Sequence, residues 1–257
     1  MLLVDRGLAS SRERAQALIL AGKVLVNDQK IDKAGALVDH DASLRMLGED
    51  LRYVSRGGLK LEKALEHWQI DLSGKVCLDV GASTGGFSDC MLQHGAAKVI
   101  AVDTGYGQLA LSLRKDPRLR LLEKTNARFL TQADLGDDID FVAIDVSFIS
   151  ATLVLPAVVA AAFPSAPSPS GTLSKASQPA CRHIVVLVKP QFEVGRELVG
   201  KGGIVRDEAA QQSAISKVQT ALAQLGSANL EWIESPIRGA EGNREFLFHG
   251  IFPFSDI

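Results

Sequence analysis

The sequence is poor in features that would each indicate a particular class of protein. Its 257 residues include three cysteines and no CxxC pair, which excludes a disulfide framework and a cysteine-rich zinc site. The five histidines are dispersed, so no metal site is predicted. The longest nearly unbroken apolar run, 153–163, contains Pro156 and is too short to cross a bilayer. A secretory leader is not recognisable, so the sequence predicts a cytoplasmic protein without a membrane partner.

Neither sign of charge dominates the chain. The 28 Lys and Arg residues nearly balance the 30 Asp and Glu residues, which argues against a polycation that coats nucleic acid. Hydrophobic residues make up 46% of the sequence, a share typical of a globular protein with a full core. Residues 1–60 are slightly basic, with ten Lys or Arg against eight Asp or Glu. The sequence pattern also changes near residue 50, which predicts two modules.

The beginning of the chain has the pattern of a small helical unit followed by short strands. Ser10 or Ser11 is placed to cap a helix whose apolar residues recur at helical spacing, and Gly22 is placed just after its end. Strand-like stretches follow at 23–26 and 42–46, and the first of them leads into an Asn-Asp turn. The basic residues around this unit are Arg6, Arg12, Arg14 and Lys23.

The rest of the chain, 59–257, predicts an α/β domain with a mostly parallel seven-stranded sheet, joined to module 1–50 by a connector at 51–58. Continuously apolar strands that alternate with helices are typical of such a sheet. The predicted strands are 76–80, 99–102, 119–122, 141–144, 184–188, 230–233 and 245–251. The predicted helices are 59–68, 86–93, 109–115, 149–162 and 208–225. The last two strands are joined without a helix, so one of them is expected to be antiparallel. The Pro- and Ser-rich segment 164–182 is expected to be a disordered insertion.

A glycine-bearing turn follows the first predicted strand of this domain and opens a helix. Its candidate cofactor-binding residues are Asp79, Gly81, Ala82, Ser83, Thr84, Gly85, Gly86 and Phe87. Glycines allow a tight turn close to a ligand at the carboxyl ends of the strands. Ser83 takes the place of the middle glycine in the dinucleotide fingerprint, and Asp79 suits a methionine ammonium group. The turn therefore favours S-adenosylmethionine, with an NAD-linked dehydrogenase as the alternative.

Further polar residues stand where the next strands end. Asp103 is placed to bond ribose hydroxyls of the cofactor, and Asn126 to contact its adenine or ribose or to stabilise a turn. Asp145 and Lys189 end two predicted strands, so both are expected over the ligand crevice. A salt bridge between those two residues is the simplest structural interpretation. Lys60 and Glu245 offer a second ammonium group and a second carboxylate. Their presence favours a catalytic role for the four residues over a purely structural salt bridge.

Two family resemblances cover most of the chain. Residues 3–48 resemble the S4 RNA-binding domain, through Arg6-Gly7-Leu8, Ser10-Ser11-Arg12, Gly22-Lys23-Val24 and Val26-Asn27. Lys60, Asp145, Lys189 and Glu245 resemble the Lys-Asp-Lys-Glu tetrad of the FtsJ-type 2'-O-ribose methyltransferases. Together with the runs 189–193 and 199–207, these matches make the chain similar to the TlyA family, also called haemolysin A.

These resemblances imply a function and roles for particular residues. The function is S-adenosylmethionine-dependent methylation of cytidine 2'-hydroxyls in the RNA of a ribosomal subunit. Lys189 would accept or steer the hydroxyl proton and Lys60 would orient the ribose, while Asp145 and Glu245 hold the two ammonium groups. Further candidate RNA-binding residues are Arg56, Arg196, Lys201 and Arg206.

The alternatives to this function are a membrane-active haemolysin and an RNA-binding factor with a catalytically silent site. The chain starts without the Arg-Leu-Asp stretch of the family, so the first domain is expected to be short at its N-terminus.

Overall fold

The structure is a computed structural model that describes residues 2–9, 11–46, 52–164, 181–239 and 241–252. The chain divides into two compact units, residues 1–52 and 53–257. Of the segment 164–182, for which the sequence predicts a disordered insertion, residues 165–180 lie outside the described ranges.

The first unit combines two short helices with a three-stranded antiparallel sheet. Its elements are α1 (Leu2–Asp5), α2 (Arg12–Leu20), β1 (Val24–Val26), β2 (Gln29–Ile31) and β3 (Leu44–Met46), with β1 in the middle of the sheet. The Ser11 side chain accepts a hydrogen bond from the Arg14 amide at 3.1 Å and so caps α2 as predicted. Gly22 follows the helix with φ +63°, which confirms its expected left-handed conformation. Ser10, the other predicted cap, lies outside the described residues.

Strand β2 is missed by the sequence pattern because its side chains do not alternate between polar and apolar. Gln29 and Lys30 are both exposed, so nothing in the residue types indicates a buried face. The pairing with β1 follows instead from the turn between the two strands. Asn27 and Asp28 have φ values of +49° and +62°, and two successive left-handed residues make a tight turn whose twist suits a hairpin.

The second unit is built on a seven-stranded sheet that is parallel except at one edge. Its strands are β4 (Val76–Val80), β5 (Lys98–Val102), β6 (Leu119–Leu122), β7 (Phe141–Ile144), β8 (Arg182–Val188), β9 (Ala228–Glu234) and β10 (Phe246–Phe252). They lie in the order β6-β5-β4-β7-β8-β10-β9. β10 runs antiparallel to both of its neighbours, which confirms the antiparallel strand expected at the end of the chain.

Helices cover both faces of this sheet, as continuously apolar strands require. They are α3 (Gly57–His67), α4 (Gly86–Gln93), α5 (Leu111–Arg114), α6 (Gln132–Leu135), α7 (Leu155–Ala162), α8 (Pro190–Glu193) and α9 (Glu208–Gln224). Residues of α7 and α9 share one buried cluster with Leu78 and Val80, and residues of α3 and α4 share another with Cys77. Alternate residues of β4 therefore enter opposite cores.

Three predicted helix boundaries are wrong, each for a local reason. The helix expected over 109–115 is confined to α5, because Ala110 is extended, with ψ 139°. The helix expected over 149–162 breaks at Val154 into a 3₁₀ turn and α7. Pro156 has no amide hydrogen and is tolerated only in the first turn of α7. Gly57 and Gly58 of the predicted connector form the first turn of α3.

A column of three rings lies between β8, β10 and the end of α3. His183 Nδ1 and His249 Nε2 are 3.0 Å apart, and their rings are stacked. Trp68 stacks on the other side of His249 with a centroid distance of 4.8 Å. Burial, followed by the proximity of His183, lowers the pKa of His249 to about 4, and burial also lowers the pKa of His183. The fold therefore holds His249 neutral.

This column predicts a loss of stability in mild acid. Well above pH 6.5, the ordinary pKa of histidine, His249 is neutral in the folded and in the unfolded chain. There it adds no pH dependence to the free energy of unfolding. Between pH 6.5 and about 4, His249 is protonated in the unfolded chain but stays neutral in the folded chain. The free energy of unfolding therefore falls as the pH falls. The slope from one such group is at most ~1.4 kcal/mol per pH unit. Urea unfolding at pH 7.5 and 5.0 measures this change in the free energy of unfolding. We expect a smaller pH dependence in His249→Phe than in a control variant at the exposed His40, His40→Gln, and equal slopes would contradict the assignment.

Candidate active site

The turn after β4 brings the backbone close to the carboxyl ends of the neighbouring strands. Gly81 has φ +90°, and a Cβ atom at this position would lie 2.5 Å from the carbonyl oxygen of Asp145. Glycine alone satisfies both constraints. The amides of Ser83 and Gly105 donate to the two oxygens of Asp103 at 2.7 and 2.6 Å. Asp103 therefore holds the loops after β4 and β5 against each other.

Asp79 is a completely buried carboxylate at the start of this turn. Ser88 Oγ of α4 donates to its Oδ2 at 2.6 Å, while its Oδ1 is buried and has no hydrogen-bond partner among the described residues. Burial raises the pKa of Asp79 to about 7, against the opposing effect of the Ser88 hydrogen bond. An unsatisfied buried carboxylate oxygen is costly. A cationic ligand group would remove that cost, so Asp79 fits an ammonium group of a bound cofactor.

Two adjoining cavities of about 480 and 330 Å³ lie along the carboxyl edge of the sheet. Their linings share Gly81, Ser83, Asp145 and Ser147. The larger one, here called the cofactor cavity, is also lined by Asp103 and Asn126 and by apolar side chains of β4, β5 and the loop after β7. The smaller one, here called the catalytic cavity, is lined by the lysines described below.

The candidate cofactor residues divide between these cavities and the core. Gly81, Ser83, Asp103, Asn126 and Asp145 line the cofactor cavity. The residues Ala82, Thr84, Gly86 and Phe87 line the catalytic cavity instead.

Several of these residues also have structural roles. Gly85 lines neither cavity and lies against Leu113. Phe87 is only 3% exposed and belongs to the core between α3 and α4. Asn126 accepts a hydrogen bond from the Arg128 amide and caps a 3₁₀ turn, so the turn interpretation of this residue is confirmed.

The four tetrad residues come together as two lysine–carboxylate pairs. Lys60 Nζ lies 2.5 Å from Glu245 Oε2, and both side chains are at least nine-tenths buried. Lys189 Nζ lies 2.6 Å from Asp145 Oδ1 and donates to Ser147 Oγ at 2.8 Å. Both lysines and Asp145 line the catalytic cavity. The site thus holds two oriented ammonium groups beside the cofactor cavity.

The topology of the sheet explains why these residues meet. Asp145 follows β7 and Lys189 follows β8, and these strands are parallel neighbours that end at the same edge. β10 is antiparallel, so its beginning lies at that edge too. Glu245 precedes β10 rather than beginning it, and the predicted start of the last strand at this residue is wrong by one position. Lys60 reaches the edge from the first turns of α3.

Sequence reasoning missed two residues of the site. Ser147, which accepts a hydrogen bond from Lys189, stands two positions beyond Asp145 in the loop after β7. Phe148 is 92% exposed at the cofactor cavity and has φ +65°, which is unusual for an aromatic residue. A short polar residue after a strand is a common loop feature, so nothing in the sequence distinguishes Ser147.

The candidate RNA-binding residues have different surroundings. Arg6 donates to the carbonyl oxygens of Ala42 and His40, so this side chain ties the first unit together. Arg12 is exposed, while Arg14 and Lys23 are half-buried. In the second unit Arg56 is exposed and lines the catalytic cavity. The residues Arg196, Lys201 and Arg206 are exposed and line neither of the two cavities described above.

The described ranges contain neither a candidate membrane span nor a candidate metal cluster. No helix there is long and apolar enough to cross a membrane. The same part of the chain contains no group of three or more His, Cys, Asp or Glu residues placed to hold a metal ion.

The sheet order, with its antiparallel β10, and the glycine turn define the α/β fold of methyltransferases, and two lysine–carboxylate pairs lie beside that turn. Residues 53–252 match the FtsJ-like methyltransferase family, and residues 1–43 match the S4 domain. The chain belongs to the FtsJ-like methyltransferase family, and it carries an S4 domain before the methyltransferase domain.

Named relatives match nearly the whole chain. The 16S/23S rRNA (cytidine-2'-O)-methyltransferase TlyA of Mycobacterium tuberculosis is 44% identical over 95% of this chain and 86% of that protein. Hemolysin A of Brachyspira hyodysenteriae is 40% identical over 96% of both chains. A solved structure of a candidate hemolysin from Streptococcus thermophilus has a TM-score of 0.70 and 41% identity, covering 97% of this chain and 86% of that one.

Gly239 leaves room for the carboxylate that holds Lys60. A methyl group added at this position would overlap Oε1 of Glu245, whose other oxygen binds Lys60. We therefore expect Gly239→Ala to displace the carboxylate and lower the kcat of methyl transfer roughly tenfold, the effect of removing one charge-assisted hydrogen bond. Because displacement of Glu245 leaves the buried Lys60 ammonium group unpaired, the melting temperature should also fall, so activity is compared at a temperature at which both proteins are folded.

The matched control is Gly35→Ala, because a methyl group there meets open space. The methyl transfer rates and thermal melting curves of both variants are measured and compared with those of the wild type. Wild-type activity in Gly239→Ala would show that the position of Glu245 does not matter for turnover.

Proposed function

We propose that this protein transfers a methyl group from S-adenosylmethionine to the 2'-hydroxyl of a cytidine in ribosomal RNA, within the cytoplasm. The observation that carries the proposal is the pair of lysine–carboxylate contacts, Lys60–Glu245 and Lys189–Asp145, whose two lysines line one cavity beside the glycine turn. The names of the relatives support the substrate. The M. tuberculosis protein is named for methylation of 16S and 23S rRNA, and a Campylobacter jejuni relative at 32% identity for 23S rRNA.

The residues around the cofactor cavity suit the parts of S-adenosylmethionine. Asp79 lines neither cavity, but its buried unsatisfied oxygen at the start of the glycine turn suits a cationic group such as the methionine ammonium. Asp103 has lone pairs left for ribose hydroxyls after accepting two amide hydrogens. Val80, Val102 and Val154 offer apolar walls for the adenine. When bound, this cofactor supplies a methyl group that is already activated for transfer by its sulfonium charge.

The chain's own residues then have to position and deprotonate a ribose hydroxyl. A Lys ammonium group has three donors, and Lys189 donates one of them to Ser147 Oγ while its Nζ forms an ion pair with Asp145 Oδ1. These two contacts fix the position of Nζ and leave a donor for the substrate hydroxyl oxygen. Lys189 Nζ steers this oxygen and, in its neutral form, takes up the hydroxyl proton.

Lys60 orients the ribose in this scheme. Glu245 occupies one donor of Lys60 and leaves two for the neighbouring sugar oxygens. Because both side chains are buried, the ammonium group has a defined direction and loses little further entropy on binding. Reaction by positioned groups of this kind needs no covalent intermediate with the enzyme.

Recognition of the RNA is assigned to both units. The S4 domain contributes Arg12, Arg14 and Lys23, and the methyltransferase domain contributes Arg56 at the catalytic cavity, with Arg196, Lys201 and Arg206. S4-type recognition works through shape and phosphate contacts, which require local rather than overall positive charge. The net charge of −2 is therefore compatible with an RNA substrate.

Removal of the Lys189 ammonium group tests the catalytic assignment. We expect Lys189→Ala to lower methyl transfer roughly 10²- to 10⁴-fold, the usual contribution of a positioned proton-transfer group. Binding of S-adenosylmethionine, measured by calorimetry, should be retained, because Lys189 does not line the cofactor cavity. Lys63→Ala, an exposed lysine on the same helix as Lys60, is the matched control. Turnover at the wild-type rate in Lys189→Ala would refute the role.

The reaction itself is tested on isolated small and large ribosomal subunits that lack the modification. Methyl-labelled S-adenosylmethionine should give 2'-O-methylcytidine after digestion of the RNA to nucleosides, and the labelled subunit identifies the substrate. Binding of subunits without product would identify a catalytically silent RNA-binding factor. Leakage of liposomes by the purified protein would instead support a haemolysin, and calorimetric binding of NAD a dehydrogenase.

A further inference from the structure

Arg238 lies at the border between the catalytic cavity and a third cavity of about 460 Å³. It lines both of them, in the loop that joins β9 to β10 and ends at Glu245. The side chain is exposed. The third cavity, here called the arginine cavity, is lined by Ile204, Val205, Arg206, Glu208, Gln211, Arg238, Gly242 and Arg244. Three of these eight residues are arginines, and one is acidic.

The three arginines of this cavity differ in their partners. Arg244 forms a two-point ion pair with Glu234, at 2.9 and 2.8 Å, so its charge is neutralised within the fold. Among the described residues, no carboxylate lies within ion-pair distance of Arg206 or Arg238. Arg238 donates one long hydrogen bond, of 3.4 Å, to the carbonyl oxygen of Gly242. Because a guanidinium group has five donors, both side chains keep donors for a ligand.

The backbone around the arginine cavity is held in place by two buried amide side chains. Asn243, only 1% exposed, accepts from the Val205 amide at 2.9 Å and donates to the Gly203 carbonyl oxygen at 2.8 Å. Gln211 donates to the Val205 carbonyl oxygen at 2.8 Å. The segment that presents Arg206 is thus fixed against the loop that presents Arg238. Two guanidinium groups carried by fixed backbone segments suit a ligand that carries successive negative charges.

We propose that Arg238 and Arg206 bind backbone phosphates of the RNA strand that flanks the target nucleotide. The inference rests on the proposed function, because the strand must pass from the catalytic cavity into the arginine cavity. Arg238 touches the phosphate next to the target and Arg206 one further along. Such contacts position a substrate without reading its sequence. Arg238 and Arg206 are positioning residues, and the arginine cavity sets the register of the strand over Lys60 and Lys189.

The salt dependence of RNA binding and of methyl transfer tests the inference. Removal of one phosphate contact should reduce the slope of log(kcat/KM) against log[KCl] by roughly 0.7–1. We expect this reduction in Arg238→Gln and in Arg206→Gln, and about twice the reduction in the double variant. At low salt kcat/KM should fall about tenfold for each arginine, mainly through KM, with cofactor binding unchanged.

Two matched variants separate this role from a general effect of charge. Lys115→Gln removes one exposed positive charge at the opposite, amino edge of the sheet and should leave the slope unchanged. Arg238→Lys retains a charge and should restore most of the slope. An unchanged slope in the double variant, or an equal change in Lys115→Gln, would overturn the inference.

Binding of subunits, measured in parallel, keeps the test independent of catalysis. If the wild type binds subunits without methylating them, the proposed function fails while the binding slopes still decide this inference.

Discussion

The buried contact between Lys60 and Glu245 is the interaction on which the arrangement of the active site depends. It joins the first helix of the methyltransferase domain to the start of its last strand, across 185 positions of sequence. Burying an ion costs several kcal/mol, and only a partner at short distance compensates for that cost. Neither residue can therefore move away from the other without exposing an unpaired charge to the core. Gly239 is part of the same constraint, since any larger residue would occupy the space of the carboxylate.

Placement of charge explains how a nearly neutral protein can act on RNA. Many of its charged groups are committed to contacts within the fold, as Arg6 is to two carbonyl oxygens and Arg244 to Glu234. Arg56, Arg206 and Arg238, beside the active site, have no ion-pair partner among the described residues. A few uncommitted guanidinium groups in a fixed frame select one arrangement of a strand, while a general excess of positive charge would bind any RNA. Near-neutrality and RNA recognition are thus compatible.

The strands of the large sheet could be predicted because they are buried on both faces and therefore continuously apolar. β2 could not, since Gln29 and Lys30 are exposed and the strand exists only through its pairing with β1. The residues of the two lysine–carboxylate pairs could be selected as candidates, because strand ends and family motifs point to them. Ser147 and Arg238 could not, because a serine or an arginine in a loop has no distinguishing pattern before its surroundings are known.

The sequence by itself determined the strands of the large sheet, the longer helices between them, the glycine turn after β4 and the residue types available for chemistry. These features depend on local periodicity and on residues close together in the chain. The sequence suggested the salt bridge between Lys189 and Asp145, but only the tertiary structure brought Lys60 to Glu245 and decided which arginines are committed. Lys60 pairs with Glu245 because β10 runs antiparallel and returns its beginning to the carboxyl edge of the sheet. Arg244 forms an ion pair with Glu234 and Arg238 does not, because the packing of the β9–β10 loop brings only Arg244 within ion-pair distance of that carboxylate.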